Sequence, residues 1–351
     1  MKTFRIGQHL LASDKPVFVI AEIGVNHDGS VDRAIELVRH AKRAGADAVK
    51  LQLFSASRLV HPTATAASYQ TTNCGATDQT TLLRPYELSA DDIERTVDAA
   101  RVVGLVPVAT PFSVQDVALM ERLHIAMVKI ASPDLVNRPL LERAAQMGVP
   151  MLVSTGAANL EEIDACVGWL RGWRVPFALL HCVCAYPTPV DQAKLGWIDE
   201  LRKRYDMPIG YSDHATELMS GALATAAGAC IIEKHLTWNR FAAGPDHAAS
   251  ADPHQFAAYI EMTRIASRMR GNGGSREVLA VEAEVRKLSR QSLVTARSIA
   301  SGETITREDL IAQRPGTGIL AKELDAVAGR AARCDLPAGT ILDWSMVADA
   351  A

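Results

Sequence analysis

Residues 208–237 read PIGYSDHATELMSGALATAAGACIIEKHLT, and the division of this stretch decides the fold. Pro208–His214 and Cys230–Thr237 are short strand-like runs, separated by a helical pattern that ends at Gly228. Working outward, the same strand-then-helix unit recurs at Val17–Ile20, Ala48–Phe54, Leu105–Thr110, Met127–Ser132, Val149–Thr155 and Phe177–Val183, which makes eight runs. Between the first two, Val31, Ala34, Ile35, Val38 and Ala41 keep one apolar helical face. Ser89 with Asp92 and Ser113 with Asp116 resemble capping boxes. Gly45, Gly104, Gly148 and Gly228 stand where left-handed C-terminal caps are expected. A doubly wound open sheet usually has fewer strands and a glycine-rich first turn, whereas Gly24 and Gly29 form no GxGxxG. The expected fold is an α/β (β/α)8 TIM barrel.

The chain has 351 residues, 48% hydrophobic and 22% charged, which excludes disordered and collagen-like classes. At roughly 100–200 residues per domain, one large barrel and one small domain fit. A net charge of −3 without a basic stripe gives no support for nucleic-acid binding. No apolar run of membrane-spanning length appears, so no membrane partner is expected and the protein reads as cytoplasmic. Cys74, Cys166, Cys182, Cys184, Cys230 and Cys334 are scattered without a CxxC pair, as reduced thiols rather than a disulfide framework. Ser55–Leu88 is too long for a standard loop and reads as an active-site lid. The barrel is expected over 1–270, a linker over 271–285 that starts with Gly271-Asn272-Gly273-Gly274-Ser275, and a small turn-rich domain over 286–351.

In a parallel barrel the active site lies at the carboxyl ends of the strands, and nearly every run here ends in polar residues. These are Glu22, Lys50 with Gln52, Thr110, Lys129 with Ser132, Ser154 with Thr155, Ser212 with His214, and Glu233 with His235. Alternation puts each pair two residues apart on one face. Two lysines facing a barrel interior need carboxylate partners such as Glu22 or an anionic ligand carrying phosphate and carboxylate. A Schiff-base lysine is a third reading. His214 and His235 end adjacent strands and would converge on one divalent metal. Mn²⁺ is the first expectation, with Mg²⁺ or Co²⁺ as alternatives. Cys182 and Cys184 read as small packing residues. Asp134 and Asp246 lie just past strands, where a carboxylate serves as base, hydroxyl partner or turn-former.

Ala21-Glu22-Ile23-Gly24-Val25-Asn26-His27, Val49-Lys50-Leu51-Gln52, Ala109-Thr110-Pro111-Phe112, Lys129-Ile130-Ala131-Ser132, Ser154-Thr155-Gly156, Tyr186-Pro187, Gly210-Tyr211-Ser212-Asp213-His214, Glu233-Lys234-His235 and Gly244-Pro245-Asp246 together resemble the sialic acid synthase family. Ala296-Arg297-Ser298-Ile299, Gly302-Glu303 and Arg314-Pro315-Gly316 resemble the antifreeze-like SAF domain, of β-clip type, that follows the barrel in that family. The resemblance implies condensation of phosphoenolpyruvate with an N-acetylated amino sugar, giving a nonulosonic acid and phosphate. It assigns Lys50, Thr110, Lys129, Ser132, Ser154 and Ser212 to phosphoenolpyruvate, and His214 and His235 to the metal. Glu22, Gln52, Tyr186 and Asp246 go to the sugar. Arg314 would reach a partner's active site in a domain-swapped homodimer, and Asp134 would be the base.

Two positions depart from the pattern. Many relatives carry glutamate where this chain has Asp134, one methylene shorter, and Asn or Ser where it has Cys184, a poorer donor. Both changes point to a subfamily with an acceptor other than that of sialic acid synthesis proper, while the sequence leaves N-acetylmannosamine, its 6-phosphate and the dideoxy-diacetamido hexoses leading to legionaminic or pseudaminic acid all open. The other readings are a Kdo- or DAHP-type condensation, which the added C-terminal domain argues against, and a non-catalytic sugar-binding protein.

Overall fold

The computed structural model describes residues 3–6, 9–12, 14–61, 63–65, 78–271 and 274–349. These divide into two compact units, Met1–Gly273 and Gly274–Ala351.

The first unit is the expected barrel. An antiparallel hairpin, β1 (Phe4–Ile6) and β2 (His9–Leu11), precedes it. Strands β3 (Phe18–Glu22), β4 (Ala48–Leu53), β5 (Val106–Pro111), β6 (Met127–Ile130), β7 (Met151–Ser154), β8 (Phe177–Cys182), β9 (Ile209–Asp213) and β10 (Ile231–His235) pair in chain order, and β10 closes on β3. All of these barrel pairings are parallel. The helices α1 (Val31–Ala44), α2 (Ala90–Val102), α3 (Val114–Arg122), α4 (Arg138–Ala145), α5 (Leu160–Gly172), α6 (Trp197–Tyr205), α7 (Ser220–Ala226) and α8 (Pro253–Arg270) follow the eight strands in turn.

Alternation sorts the strand residues into two cores. Val19, Ala21, Val49, Leu51 and Val128 face outward with the helix residues Leu37, Val38, Val97 and Met120. Phe18, Ile20, Ala48, Val108, Met127, Leu152, Leu180 and Ile231 fill the interior. Ile6 and Leu11 of the hairpin join that inner core, an element not expected from the periodicity. The inward positions are therefore apolar toward the amino ends of the strands. Toward the carboxyl ends they become Glu22, Lys50, Thr110, Lys129, Ser154, Ser212 and Glu233, all buried.

Local signals behave as read, with one difference. Gly45, Gly104, Gly148 and Gly228 all have positive φ, which a residue with a Cβ adopts only under strain. Ser89 and Ser113 cap α2 and α3, but Asp92 and Asp116 accept the serine hydroxyls, at 2.7 and 2.6 Å, instead of reaching back to the cap N–H. Reciprocal capping boxes form at Asn159 with Glu162 and at Asp252 with Gln255.

Within the expected lid, Ala56–Leu59 and Gln79–Leu83 are short helices, while residues 62 and 66–77, with Cys74, lie outside the described residues. So do residues 272–273 of the glycine-rich linker. The unit boundary falls inside the segment 271–285, and Ala283–Ser289 is helical, so ordered structure in the second unit starts before residue 286. That unit pairs β11 (Ser292–Thr295) antiparallel with β12 (Leu310–Gln313). Its core contains Leu293, Ile299, Ile305, Ile319, Val327, Leu336 and Leu342. No helix among the described residues is long and apolar enough to cross a membrane.

Candidate active site

A cavity of about 420 Å³ opens at the carboxyl ends of the barrel strands. Of the residues singled out from sequence, Lys50, Gln52, Thr110, Lys129, Ser132, Asp134, Ser154, Tyr186, Ser212, His214, His235 and Asp246 line it. Glu22 does not: it is fully buried, beside Lys50 in the strand register. Arg314 belongs to the second unit, beyond β12.

An ion cluster forms the inner wall. Lys50 Nζ is 2.6 Å from Glu22 Oε2 and 2.8 Å from Glu233 Oε1. Glu233 Oε1 also accepts from the Ser212 hydroxyl at 3.0 Å and stands 3.5 Å from Lys129 Nζ. Strand register produces this set, because Glu22 lies beside both Lys50 and His235, and Glu233 beside Ser212. Two lysines thus face two carboxylates, so the expected carboxylate partner is present and the cluster carries no net charge. Burial pulls the Lys50 amine down to about 8, against the attraction of Glu233. Glu233 is a strand-end residue to which the sequence reading assigns no role. Its face, shared with His235 two residues on, was the signal.

Next to this neutral cluster stand polar groups without protein partners. Thr110 Oγ1, Ser154 Oγ and Glu233 Oε2 are buried and make no hydrogen bond within the described residues. A buried polar atom left unpaired costs about 1–3 kcal/mol, so such atoms mark a place where a ligand or water supplies the bond. Lys129 is the lysine nearest them in role, since its longer contact with Glu233 leaves donor capacity on its ammonium.

The two histidines meet on the other wall. Their ring centroids are 5.3 Å apart, and Tyr186 packs on His214 at 4.1 Å. His214 Nδ1 is 3.0 Å from the Val183 carbonyl, so it carries the proton and leaves the Nε2 lone pair free. His235 Nδ1 has no hydrogen-bond partner, and Asp246 Oδ2 is 3.5 Å away. Burial lowers His214 to about 4 and His235 well below its usual range, so both imidazoles are neutral at pH 7. Neutral imidazoles with an unused lone pair suit a borderline divalent ion. Among the described residues no group of three or more His, Cys, Asp or Glu side chains is placed to hold a metal ion.

Supporting contacts aim the rim. Asp134 follows β6 in the turn Ser132–Val136; burial raises its carboxyl above the ordinary range although Asn137 donates to it at 2.9 Å. The segment carrying Asp246 is pinned to the loop after β3, since His247 Nε2 lies 2.9 Å from Asp28 Oδ1 and Trp238 donates to Asp28 Oδ2 at 2.9 Å. Of the two cysteines expected as packing residues, Cys182 is buried as such a residue would be, whereas Cys184 is not. Cys182 lines the cavity with its sulfur 3.8 Å from His214 Nδ1, and Cys184 is exposed. Leu59, Gln79 and Leu83, from the described parts of the expected lid, also border the cavity.

Residues 37–275 match the NeuB family, and residues 290–348 match the SAF domain. The chain is 35% identical over 341 residues to the N,N'-diacetyllegionaminic acid synthase of Legionella pneumophila, covering 95% of this chain and 96% of that one. It is 30% identical over 296 residues to the N-acetylneuraminate-9-phosphate synthase of Mus musculus, covering 84% and 82%. The solved structure of the N-acetylneuraminic acid (sialic acid) synthetase of Leptospira borgpetersenii superposes with a TM-score of 0.74 at 32% identity, covering 81% of this chain and 95% of that chain. Since the family match takes in more than half of the chain, and the Legionella synthase is 35% identical over nearly its whole length, the chain belongs to the NeuB family.

Proposed function

We propose that this protein condenses phosphoenolpyruvate with a 2-acetamido hexose, giving a nonulosonic (sialic-type) acid and inorganic phosphate. The observation that carries this reading is the set of unpartnered buried hydroxyls, Thr110 and Ser154, beside Lys129 in the barrel mouth. They offer hydrogen bonds to a small anion without covalent attachment. The relatives named as legionaminic, pseudaminic and N-acetylneuraminate-9-phosphate synthases support the same class.

In this reading Lys129, Ser132, Thr110 and Ser154 orient phosphoenolpyruvate, with Lys50 and Ser212 behind them. His214 and His235 would hold a divalent ion, Mn²⁺ by preference, which when bound supplies Lewis acidity toward the sugar aldehyde oxygen. Gln52, Tyr186 and Asp246 border the space left for the sugar, while Glu22 acts through Lys50 and Gln52. As C3 of phosphoenolpyruvate attacks the aldehyde carbon, C2 becomes cationic and takes up water. Asp134 accepts the proton of that water, and the tetrahedral product expels phosphate by carbon–oxygen cleavage. Arg314 of a partner subunit completes the sugar site in a homodimer.

The deciding experiment is a mass-spectrometric screen of N-acetylmannosamine, its 6-phosphate and the dideoxy-diacetamido hexoses with phosphoenolpyruvate and Mn²⁺. Phosphate release that requires both a sugar and the metal is expected. Turnover with none of these sugars, or with an unacetylated aldose only, would overturn the reading.

Two further outcomes follow from the carboxylate and lysine environments. Asp134→Asn should lower kcat by about 10²–10⁴, the usual worth of a general base, with little change in phosphoenolpyruvate affinity. Asp134→Glu should retain more activity; a wild-type rate in the Asn variant would move the base elsewhere. The second outcome concerns alkaline pH. Lys50 loses its proton as pH rises through about 8, which leaves the cluster with a net negative charge. The KM for phosphoenolpyruvate should therefore climb above that pH, measured with acceptor and metal saturating. A flat KM between pH 7 and about 9.5 would show that Lys50 stays charged or plays no part in anion binding.

A further inference from the structure

One thiol of the cavity wall and a second close to it are not used by the condensation. Cys182 is the last residue of β8 and is buried in the cavity wall, while Cys184 lies two residues further on and is exposed. Both sulfurs crowd one point. A side-chain carbon built on Gly156 would sit 2.6 Å from the Cys184 sulfur, 3.1 Å from the Cys182 sulfur and 2.9 Å from the Ser132 hydroxyl oxygen. Only a glycine leaves room for this convergence. Residues 183–185 are outside the strand ladder, so the stretch that carries Cys184 is not held by strand pairing.

We propose that Cys184 and Cys182 form a hydroperoxide-reactive dithiol, a modification site in which Cys184 is oxidised first and Cys182 resolves it to an intramolecular disulfide. The electrostatics agree with that order. Hydrogen bonding from Cys182 lowers the Cys184 thiol despite its partial burial, and the Ser132 hydroxyl and the Lys129 charge act in the same direction. Cys182 is buried and Cys184 exposed, so a hydroperoxide reaches the Cys184 sulfur first. The other thiols in the barrel core contrast with this pair: burial raises Cys166 and Cys230 to about 12.

The chemistry balances without a cofactor. The Cys184 thiolate attacks the outer oxygen of the hydroperoxide, the O–O bond breaks, and the departing alkoxide or hydroxide takes a proton from water. Cys184 is then a sulfenic acid. The Cys182 sulfur attacks the Cys184 sulfur, the S–O bond breaks, and the hydroxyl leaves as water with the Cys182 proton. The disulfide redirects the rim beside Ser132 and Lys129. It also draws on Val183, whose carbonyl accepts from His214 Nδ1. Oxidation is therefore expected to suppress turnover, a consequence that rests on the proposed condensation, whereas the disulfide itself does not.

The test uses the full chain and hydrogen peroxide. Trypsin releases residues 175–194 as one peptide that contains both thiols and no other cysteine. After brief treatment with a few equivalents of peroxide and alkylation, this peptide should be two hydrogens lighter and unalkylated, and dithiothreitol should reverse the change. The Cys184→Ser chain should keep Cys182 reduced and alkylatable. The Cys182→Ser chain should stop at a sulfenic acid on residue 184 that a dimedone-type reagent traps. Since Cys182 is buried, the test does not depend on the folding of its variant: the Cys184→Ser result and the wild-type peptide mass suffice by themselves. Both thiols remaining alkylatable in the wild type, or Cys184 passing to sulfinic acid while Cys182 stays reduced, would overturn the proposal. Loss of activity on oxidation is read separately. If the disulfide forms and the acceptor screen fails, the dithiol assignment stands and the condensation falls.

Discussion

His214→Ala and His235→Ala chains are expected to keep their fold and to lose turnover by about a thousandfold or more. The size follows from the several kcal/mol that a Lewis acid contributes to developing charge, with each ~1.4 kcal/mol worth a factor of ten in rate. The fold should survive because both rings stand on the cavity wall rather than in either apolar core. Two measurements separate this from a packing defect. Circular dichroism should give melting midpoints near that of the wild type, and titration of the purified chain with Mn²⁺ should show binding lost in each variant. Mixing adds a geometric check. An inactive His214→Ala chain combined with an inactive Arg314→Ala chain should regain activity, since one intact barrel would then be served by one intact second unit. Unchanged activity of either histidine variant after thorough chelation would end the metal assignment. Verified subunit exchange without recovery would end the cross-subunit role of Arg314.

Glu233→Gln should be the most destabilising single change at the site, by about 3–5 kcal/mol at neutral pH, because it breaks a buried ion cluster while leaving its cations in place. Lys129 loses the one carboxylate within 4 Å of its ammonium among the described residues, and Lys50 keeps only Glu22. Burial pushes the Glu233 carboxyl up, but the charges of Lys129 and Lys50 overcome that and hold it well below the ordinary carboxylate range. A carboxylate depressed in the folded state contributes stability that is present above its unfolded pKa of about 4.3 and lost as pH falls through the lower folded value. Urea unfolding should therefore show a large gap between wild type and variant at pH 7, shrinking as the pH is taken well below 4. A gap under about 1 kcal/mol at pH 7 would mean that the lysines find other partners.

Much of this architecture was legible before any coordinates. Strand alternation put Lys50 with Gln52, Ser212 with His214 and Glu233 with His235 on common faces, and all six line the cavity. Glycine caps marked where helices end, and the motif series from Glu22 to Asp246 identified the family. What escaped was of two kinds. The hairpin β1–β2 has strands of three residues, too short for any periodicity to register. The helix Ala283–Ser289 sits next to a glycine-rich run whose composition reads as linker.

The amino-acid sequence by itself determined the repeating strand–helix unit and the inventory of polar strand ends, because periods of 2 and 3.6 residues and turn chemistry are properties of neighbouring positions. Only the tertiary structure decided which of those ends meet. Lys50 and Glu233 are 183 residues apart in the chain and 2.8 Å apart in space, a contact set by the closure of β10 on β3 and by the register of that pairing. The same closure sets Glu22 beside His235 as well as Lys50, while the pairing of β9 with β10 brings His214 close to His235. The pairing of β7 with β8 brings Cys182 near Gly156, and a one-residue slip in any strand would send these side chains to the helix layer instead.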